Sequence, residues 1–459
     1  MNYELVVGLE CHVQLGTKTK LFCGCGTDGF GAPPNSRVCP VCTGQPGVLP
    51  VLNKKAVELA FIAGKALGCT LREESIFARK NYFYPDLPKA YQISQYEEPF
   101  AEWGKLGDIG IRRVHLEEDA GKLLHAVGSE QLDCSYVDFN RGGIPLIEIV
   151  TQPDIRSSQQ AYDYLVALKE VIVYAGVSRA DMEKGELRCD ANVSVRPAGQ
   201  KEFGTRAEVK NLNSFKNVKD AIDHEFARQV ELIESGGKVV QETRLWDAET
   251  MKTRSMRSKE EAHDYRYFPD PDLVPLKADP DWVTKITAGI ELPQARRARF
   301  ISEYQLSSYD AGVLVASKEL SDNFDAAAAL GANTATLAKL MLNTADFTAI
   351  DPKLLAELVA LVPGTISLNQ AKELYADVRS SGKSPKALVA ERGLAQVSDE
   401  GAVLEWVKQA VAANPKAVAD VKAGKTQAVG AIVGTVMKLS KGKANAALVN
   451  KLIKETIAA

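Results

Sequence analysis

Polar and apolar residues alternate along the first segment of the chain, YELVVGLECHVQL (residues 3–15). A period of two predicts a β-strand with one buried and one polar face. GDIGIRRVHLEED (107–119) and DANVSVRP (190–197) have the same texture, and GIPLIEIV (143–150) is an apolar strand-like run. Helical periodicity interrupts these strands. NKKAVELAFIAGKALGC predicts a helix capped by Asn53 and stopped by Gly68, and SSQQAYDYLVALKEVIVYAG one capped by Ser158 and stopped by Gly176. NVKDAIDHEFARQVELIESGG predicts a third, ending on two glycines.

After DYRYFPDPDLVPLKADPDW, with prolines at 269, 271, 275 and 280, the pattern becomes helical to the end. In TQAVGAIVGTVMKLSKG, residues Val429, Ile432, Val433 and Val436 form one apolar stripe, and Gly430 and Gly434 leave room for a close neighbouring helix. Asn445 is placed to cap the last helix. There is no internal repeat and no low-complexity segment. The fold class read from this is α+β. A mixed α/β domain spans 1–290, a helical domain 291–400 and a basic helical tail 401–459.

With 459 residues, 45% hydrophobic and 25% charged, the chain has enough material for two or three globular domains. No stretch has the length of a membrane span. The first residues lack the basic and long apolar regions of a secretory leader. Eight cysteines, four of them at C-x-C and C-x-x-C spacing, suit a reducing cytosol and a metal better than disulfides. Net charge is -3, but residues 401–459 carry nine lysines and three acids, which leaves the remainder acidic. A basic tail on an acidic body fits nucleic acid, and it equally fits a solvated helical surface.

The cysteines divide by position. On a strand, Glu10, His12 and Gln14 share one face while Cys11, Val13 and Leu15 share the other, so Cys11 is expected in the core. Cys23, Cys25, Cys39 and Cys42 make a complete tetrahedral thiolate set, closed to substrate and therefore structural zinc in character. Cys69, Cys134 and Cys189 match no metal spacing. Glu10 and His12 need hard-ion partners from elsewhere, and Glu117, Glu118, Asp119, Glu148 and Asp190 lie on strand-like segments. Oxygen ligands with an imidazole suit Mg²⁺ or Mn²⁺. Glu148, isolated among apolar residues, fits either such an ion or an arginine.

No Walker motif occurs: AGKT at 423–426 lacks the first glycine and the preceding strand. RKNYFYPDLPKAYQISQ (79–95) instead mixes basic, amide and tyrosine side chains, a texture suited to phosphates and bases or to a surface loop. VKNLNSF and DYRYF are alike.

Taken together and in order, GLECHVQL, RKNYFYPDLPKAYQISQ, HLEEDAGK, GGIPLIEIV, QPDIRS, GELRCDANVSVRP, EVKNLNSF and DYRYFPDPDLVPL resemble the B-subunit family of tRNA-dependent amidotransferases. The resemblance covers the whole chain and is densest over 1–275. It is looser over 320–400, where TLAKLMLN lacks a tryptophan common in the family. It implies a cradle-shaped catalytic domain that uses ATP to phosphorylate the side-chain carboxylate of Glu-tRNA(Gln) or Asp-tRNA(Asn). Ammonia from the amidase partner, the A subunit, then displaces phosphate, and a small C subunit completes a heterotrimer. Residue by residue, the resemblance implies catalytic and magnesium roles for Glu10, His12, Glu118, Glu148 and Asp190. The four cysteines match a zinc knuckle present in some members. Lys80, Tyr82, Lys89 and Tyr91 are the candidates for ATP contact, and Lys438, Lys441 and Lys443 for tRNA. Two other classes compete: a zinc hydrolase using His12 with the cysteines, and a non-catalytic tRNA-binding protein built on the basic tail.

Overall fold

The alternating segment that opens the chain is strand β1 (Tyr3–Gln14), an inner strand of a nine-stranded sheet. The computed structural model describes the chain apart from Met1, residues 128–129, 259–264, 345–349, 396–398, 424, 441–442 and Ala459. The chain divides into two compact units, Met1–Leu292 and Pro293–Ala459. The prolines at 269–280 therefore lie just inside the first.

The other strands of the first unit are β2 (Thr70–Leu71), β3 (Glu74–Ser75), β4 (Ala78–Asn81), β5 (Tyr91–Ser94), β6 (Ala101–Leu106), β7 (Ile109–Glu118), β8 (Lys122–Val127), β9 (Glu130–Asp138), β10 (Pro145–Thr151), β11 (Leu187–Pro197), β12 (Ala207–Leu212), β13 (Glu242–Asp247), β14 (Lys252–Ser258), β15 (Phe268–Pro269) and β16 (Leu276–Lys277). The large sheet runs β14-β13-β12-β11-β1-β10-β7-β6-β2. Its neighbours are antiparallel except the parallel pair β12–β13. A small sheet, β15-β4-β5, brings the 79–95 segment against the DYRYF stretch.

Helices α1 (Lys54–Ala66), α2 (Ser158–Tyr174) and α3 (Phe215–Glu234) pack on the apolar face of the large sheet, and α4 (Pro280–Thr287) lies against α1. Asn53 caps α1 by accepting from the Lys55 and Ala56 backbone N–H groups, and Gly68 takes the left-handed turn beyond it at φ +67°. α2 starts one residue earlier than expected. Ser157 is the cap, accepting from the Gln160 N–H, and Ser158 is the first helical residue. Two adjacent serines carry the same capping signal; the exposed Ser157 caps, and Ser158 is buried as the first helical residue.

The core explains the strand parity. Leu9, Cys11 and Val13 of β1, Ile147 and Ile149 of β10, and Cys189, Ala191 and Val193 of β11 all turn toward the helices and are buried. Each large apolar side chain among them stabilises the fold by about 1.5–3 kcal/mol. The alternate residues of the same strands form the opposite face, and that face is polar.

The second unit is helical, as its periodicity predicts. Near its end, helices Glu400–Ala413, Val429–Leu439 and Ala446–Ala458 share a small separate core of Val403, Val407, Ile432, Val436, Val449 and Ile453. Val429 and Val433 pack against it, and Asn445 caps the last helix through the Ala447 and Leu448 N–H groups. Gly430 and Gly434 face open space, so among the described residues no helix uses the room they leave. No helix among the described residues is long and apolar enough to cross a membrane.

Candidate functional site

Strand register assembles the polar face row by row. Arg188 of β11 stands beside His12 of β1, His12 beside Glu148 of β10, and Glu148 beside His115 of β7. One row along, Glu10 pairs with Asp190. One row the other way, Gln14 stands beside Leu146, and Leu146 beside Glu117.

Four side chains close into a ring. His12 Nε2 is 3.4 Å from Glu148 Oε2 and 3.6 Å from Glu117 Oε1. His115 Nε2 is 3.3 Å from the same Glu148 oxygen and 3.5 Å from Glu117 Oε2. Ser94 Oγ donates to Glu117 Oε2 at 3.1 Å. Glu148, Glu117 and His115 are buried; His12 is half-buried. Burial alone would raise both carboxyls, yet His115 and His12 hold Glu148 well below, and Glu117 below, the usual carboxylate range. Burial would lower His12, but Glu148 and Glu117 outweigh it and push it up to about 9. His115 is raised by the same two acids against the same desolvation.

Donor atoms of His12, Glu117 and Glu148 lie within 4.8 Å of one another. Neighbouring ligands of an ion held at ~2.1 Å stand roughly 3 Å apart. Two carboxylates and an imidazole at this spacing are a donor set for a hard divalent cation.

Of the residues singled out from sequence, His12 and Glu148 meet here, and Glu148 has histidines rather than an arginine as its partners. Glu118 does not join them. It occupies the opposite parity of β7, accepts from the Ile93 N–H at 3.0 Å and forms a close ion pair with Lys89. Glu10 and Asp190 sit in the adjoining row. Asn192 Nδ2 donates to Glu10 at 2.9 Å, and Lys210 Nζ lies 2.5 Å from Asp190 and 3.3 Å from Glu208. Lys80 lies under the tyrosines, 4.9 Å from the Tyr265 ring and 5.8 Å from that of Tyr82. Burial opposes its charge, but Tyr267, Glu117 and Glu148 keep its ammonium favoured. Tyr91 faces away from this cluster, under the Arg79 guanidinium at 4.3 Å. Arg79 also bonds Asp270 and Asp272, at 2.9 Å each, and so fastens the segment that follows Phe268 to β4.

His115, Arg188 and Lys210 are not among the candidates read from sequence, and Glu117 is there only one of several candidate carboxylates, with the role given to Glu118. Alternation carried the signal for two of them: in RRVHLEED, His115 and Glu117 share one parity and Glu118 has the other. Lys210 follows from nothing local, since only the β11–β12 pairing brings it to Asp190.

The four cysteines converge separately, with all four sulfurs within 4.8 Å of one another. Cys39 and Cys42 Sγ are 3.9 Å apart, close to the ~3.8 Å edge of a zinc tetrahedron built on bonds of ~2.3 Å. Cys42 is pushed down to about 4, by Cys23 first and by the nearby Lys20 as well. Cys11 is in the core on the far face, its sulfur 3.7 Å from that of Cys189. Of the tail lysines, Lys438 is exposed and Lys443 half-buried. Lys441 lies outside the described residues.

The family described as the GatB/GatE catalytic domain matches residues 5–284, and the GatB domain matches residues 315–457. The aspartyl/glutamyl-tRNA(Asn/Gln) amidotransferase B subunit of Brevibacillus brevis is 52% identical over 478 aligned positions, covering 99% of each chain. That of Geobacter sulfurreducens is 52% identical over 474, again covering 99% of each. That of Carboxydothermus hydrogenoformans is 50% identical, covering 100% of this chain and 99% of its own. The chain belongs to the family of aspartyl/glutamyl-tRNA(Asn/Gln) amidotransferase B subunits.

Proposed function

We propose that this chain is the ATP-using component of a tRNA-dependent amidotransferase, a ligase. It acts on glutamate esterified to tRNA(Gln), on aspartate esterified to tRNA(Asn), or on both. The observation that carries the reading is the convergence of His12, Glu117 and Glu148 on the polar sheet face of a family member.

A carboxylate does not yield to ammonia until its oxygen is made a leaving group. The substrate carboxylate attacks the γ-phosphorus of ATP, the bond to the bridging oxygen breaks, and ADP leaves. Ammonia then attacks the acyl phosphate carbon, the bond to the phosphate oxygen breaks, and nitrogen sheds a proton as inorganic phosphate departs. His12, Glu117 and Glu148 would hold Mg²⁺, which screens phosphate charge and favours in-line transfer. Glu117 takes the place first given to Glu118, whose carboxylate is committed to Lys89. Glu10 and Asp190 form the adjoining acidic wall, where Lys210 offers phosphate a cation. Lys80, with Tyr82, is the second cation and ring surface for ATP; Lys89, held by Glu118, and Tyr91, under Arg79, stand apart from it. Zinc at the four cysteines is structural in this reading.

Ammonia comes from the glutaminase partner, the A subunit, with a small C subunit completing the assembly in the cytosol. Residues 401–459 form the tRNA-contacting domain, through Lys438, Lys441 and Lys443. The test is the complex with its amidase nucleophile removed, given ammonium chloride, ATP and mischarged tRNA. ADP and amidated tRNA should form together, and only with mischarged tRNA present. No product from ammonia, while glutamine still supports the intact complex, would sink the reading.

A further inference from the structure

Lys20 has no exposed surface at all. Among the described residues its Nζ has two partners, Cys42 Sγ at 3.6 Å and the Phe139 carbonyl oxygen at 3.1 Å. Among the described residues no carboxylate pairs with it. An ammonium taken out of water costs several kcal/mol unless an anion compensates it. The Phe139 carbonyl does not compensate a full charge; four thiolates around a divalent zinc, that of Cys42 facing Nζ among them, carry a net negative charge and do.

We infer that Lys20 is the buried charge partner of a zinc tetrathiolate formed by Cys23, Cys25, Cys39 and Cys42. It is a positioning residue without which the cluster binds metal weakly. The inference rests on the zinc reading above. Local backbone supports it. The Lys20 N–H donates to the Cys25 carbonyl at 2.9 Å, and the Leu21 N–H to the Gly143 carbonyl at 2.8 Å, so lysine and knuckle are one hydrogen-bonded unit. Gly143, at φ +86°, lies directly over the lysine. A Cβ there would stand 3.3 Å from Lys20 Cδ and 3.5 Å from Cys42 Cβ. The same turn carries Arg141, 3.6 Å from Asp119, which in turn accepts from Arg188 in the His12 row. The ammonium therefore ties the metal knuckle to the loop that braces the polar face.

The experiment uses the full chain and zinc itself, with zinc affinity measured by chelator competition and melting temperature read before and after chelation. Lys20→Met should weaken zinc at least about tenfold, the size typical of lost outer-shell partners. Chelation should lower the melting temperature of the wild type more than that of Lys20→Met, because only in the wild type does it remove the net negative cluster that faces a buried ammonium. Equal zinc affinity, or equal losses on chelation, overturns the assignment. A second comparison holds even if Lys20→Met folds poorly. In a Cys42→Ser background, where the thiolate facing the lysine is gone, adding Lys20→Met should raise the melting temperature, and a fall overturns the assignment. A wild-type chain that takes up no zinc would overturn the zinc reading itself, before any variant is made.

Discussion

His12 and Glu117 belong to strands that are not neighbours, yet His12 Nε2 and Glu117 Oε1 are 3.6 Å apart. β10 runs between β1 and β7, which places their backbones roughly 9–10 Å apart. The two side chains lean toward each other above β10, and Glu148 rises between them. Three strands distant in sequence thus deliver one donor side chain each to one point.

That convergence separates two adjacent glutamates. Glu117→Gln removes a charged oxygen from the cluster and should weaken Mn²⁺ binding by at least about tenfold, the scale at which even supporting residues matter. Glu118→Gln leaves the cluster intact and releases Lys89, so Mn²⁺ affinity should stay within about threefold of wild type. Mn²⁺ titration followed by electron paramagnetic resonance distinguishes them. The reverse order of effects would return Glu118 to the ligand set.

Cysteines on the two faces should behave oppositely. Cys11 is sealed in the core beside Cys189, so Cys11→Val should cost about 1 kcal/mol or less and leave ammonia-dependent amidation intact. Cys42→Ser, or chelation of the wild type, should lower the melting temperature, because metal binding at a closed site contributes folding free energy. Calorimetry with zinc analysis checks both. A stable, inactive Cys11→Val protein would mean that the core face takes part in the chemistry.

These contrasts show what was legible in the sequence. Alternation along LECHVQL sorts Glu10 and His12 from Cys11 because a strand has only two faces. Tight cysteine spacing reveals the knuckle because its ligands are close in sequence. Caps are readable to within a residue, as Ser157 and Ser158 illustrate. The choice between Glu117 and Glu118, and the presence of His115, depend on which face of β7 meets β10. That is fixed by long-range register, including the irregularity near Val150. Lys210 and Arg188 are invisible for the same reason.

Asp119 gives the scaffold a pH signature. Its buried carboxylate accepts from Arg188 at 2.8 Å and Gln14 at 3.1 Å. Burial would raise it, but Arg188 and Arg141 hold it below its usual 3.8. A depressed carboxyl contributes stability that is present above the unfolded value and lost as pH falls through the folded one. Asp119→Asn should therefore be less stable than wild type at pH 7, and the gap should narrow below about pH 4. Urea unfolding at neutral and acidic pH reads it directly, and a gap independent of pH contradicts the assignment.

The clasp over the tyrosines makes a sharper energetic claim. Asp270 has a fully buried carboxylate whose guanidinium partner is Arg79 at 2.9 Å. Arg79→Met strands that charge and should cost about 3–5 kcal/mol. Adding Asp270→Asn removes the stranded charge, so the double variant should be more stable than Arg79→Met alone. Denaturant unfolding of the four proteins gives the coupling. Additive losses would show that Arg79 acts through its stacking on Tyr91 instead.

The last prediction concerns the basic tail, where charge alone left two readings open. Lys438 is exposed at the end of helix Val429–Leu439, and Lys443 lies five residues on, beside the small core. If they meet tRNA phosphates, each releases counterions on binding, and affinity falls with salt in proportion to the phosphates neutralised. Replacing Lys438, Lys441 and Lys443 by glutamine should flatten the log–log salt dependence by roughly one unit for each phosphate no longer neutralised. The KM for tRNA should rise while turnover at saturating tRNA holds, because the residues proposed for phosphoryl transfer lie in the other unit. Filter binding across a salt series is the measurement. An unchanged slope would make these lysines an ordinary solvated surface, and a lower turnover at saturating tRNA would mean that they also position the acceptor end for reaction.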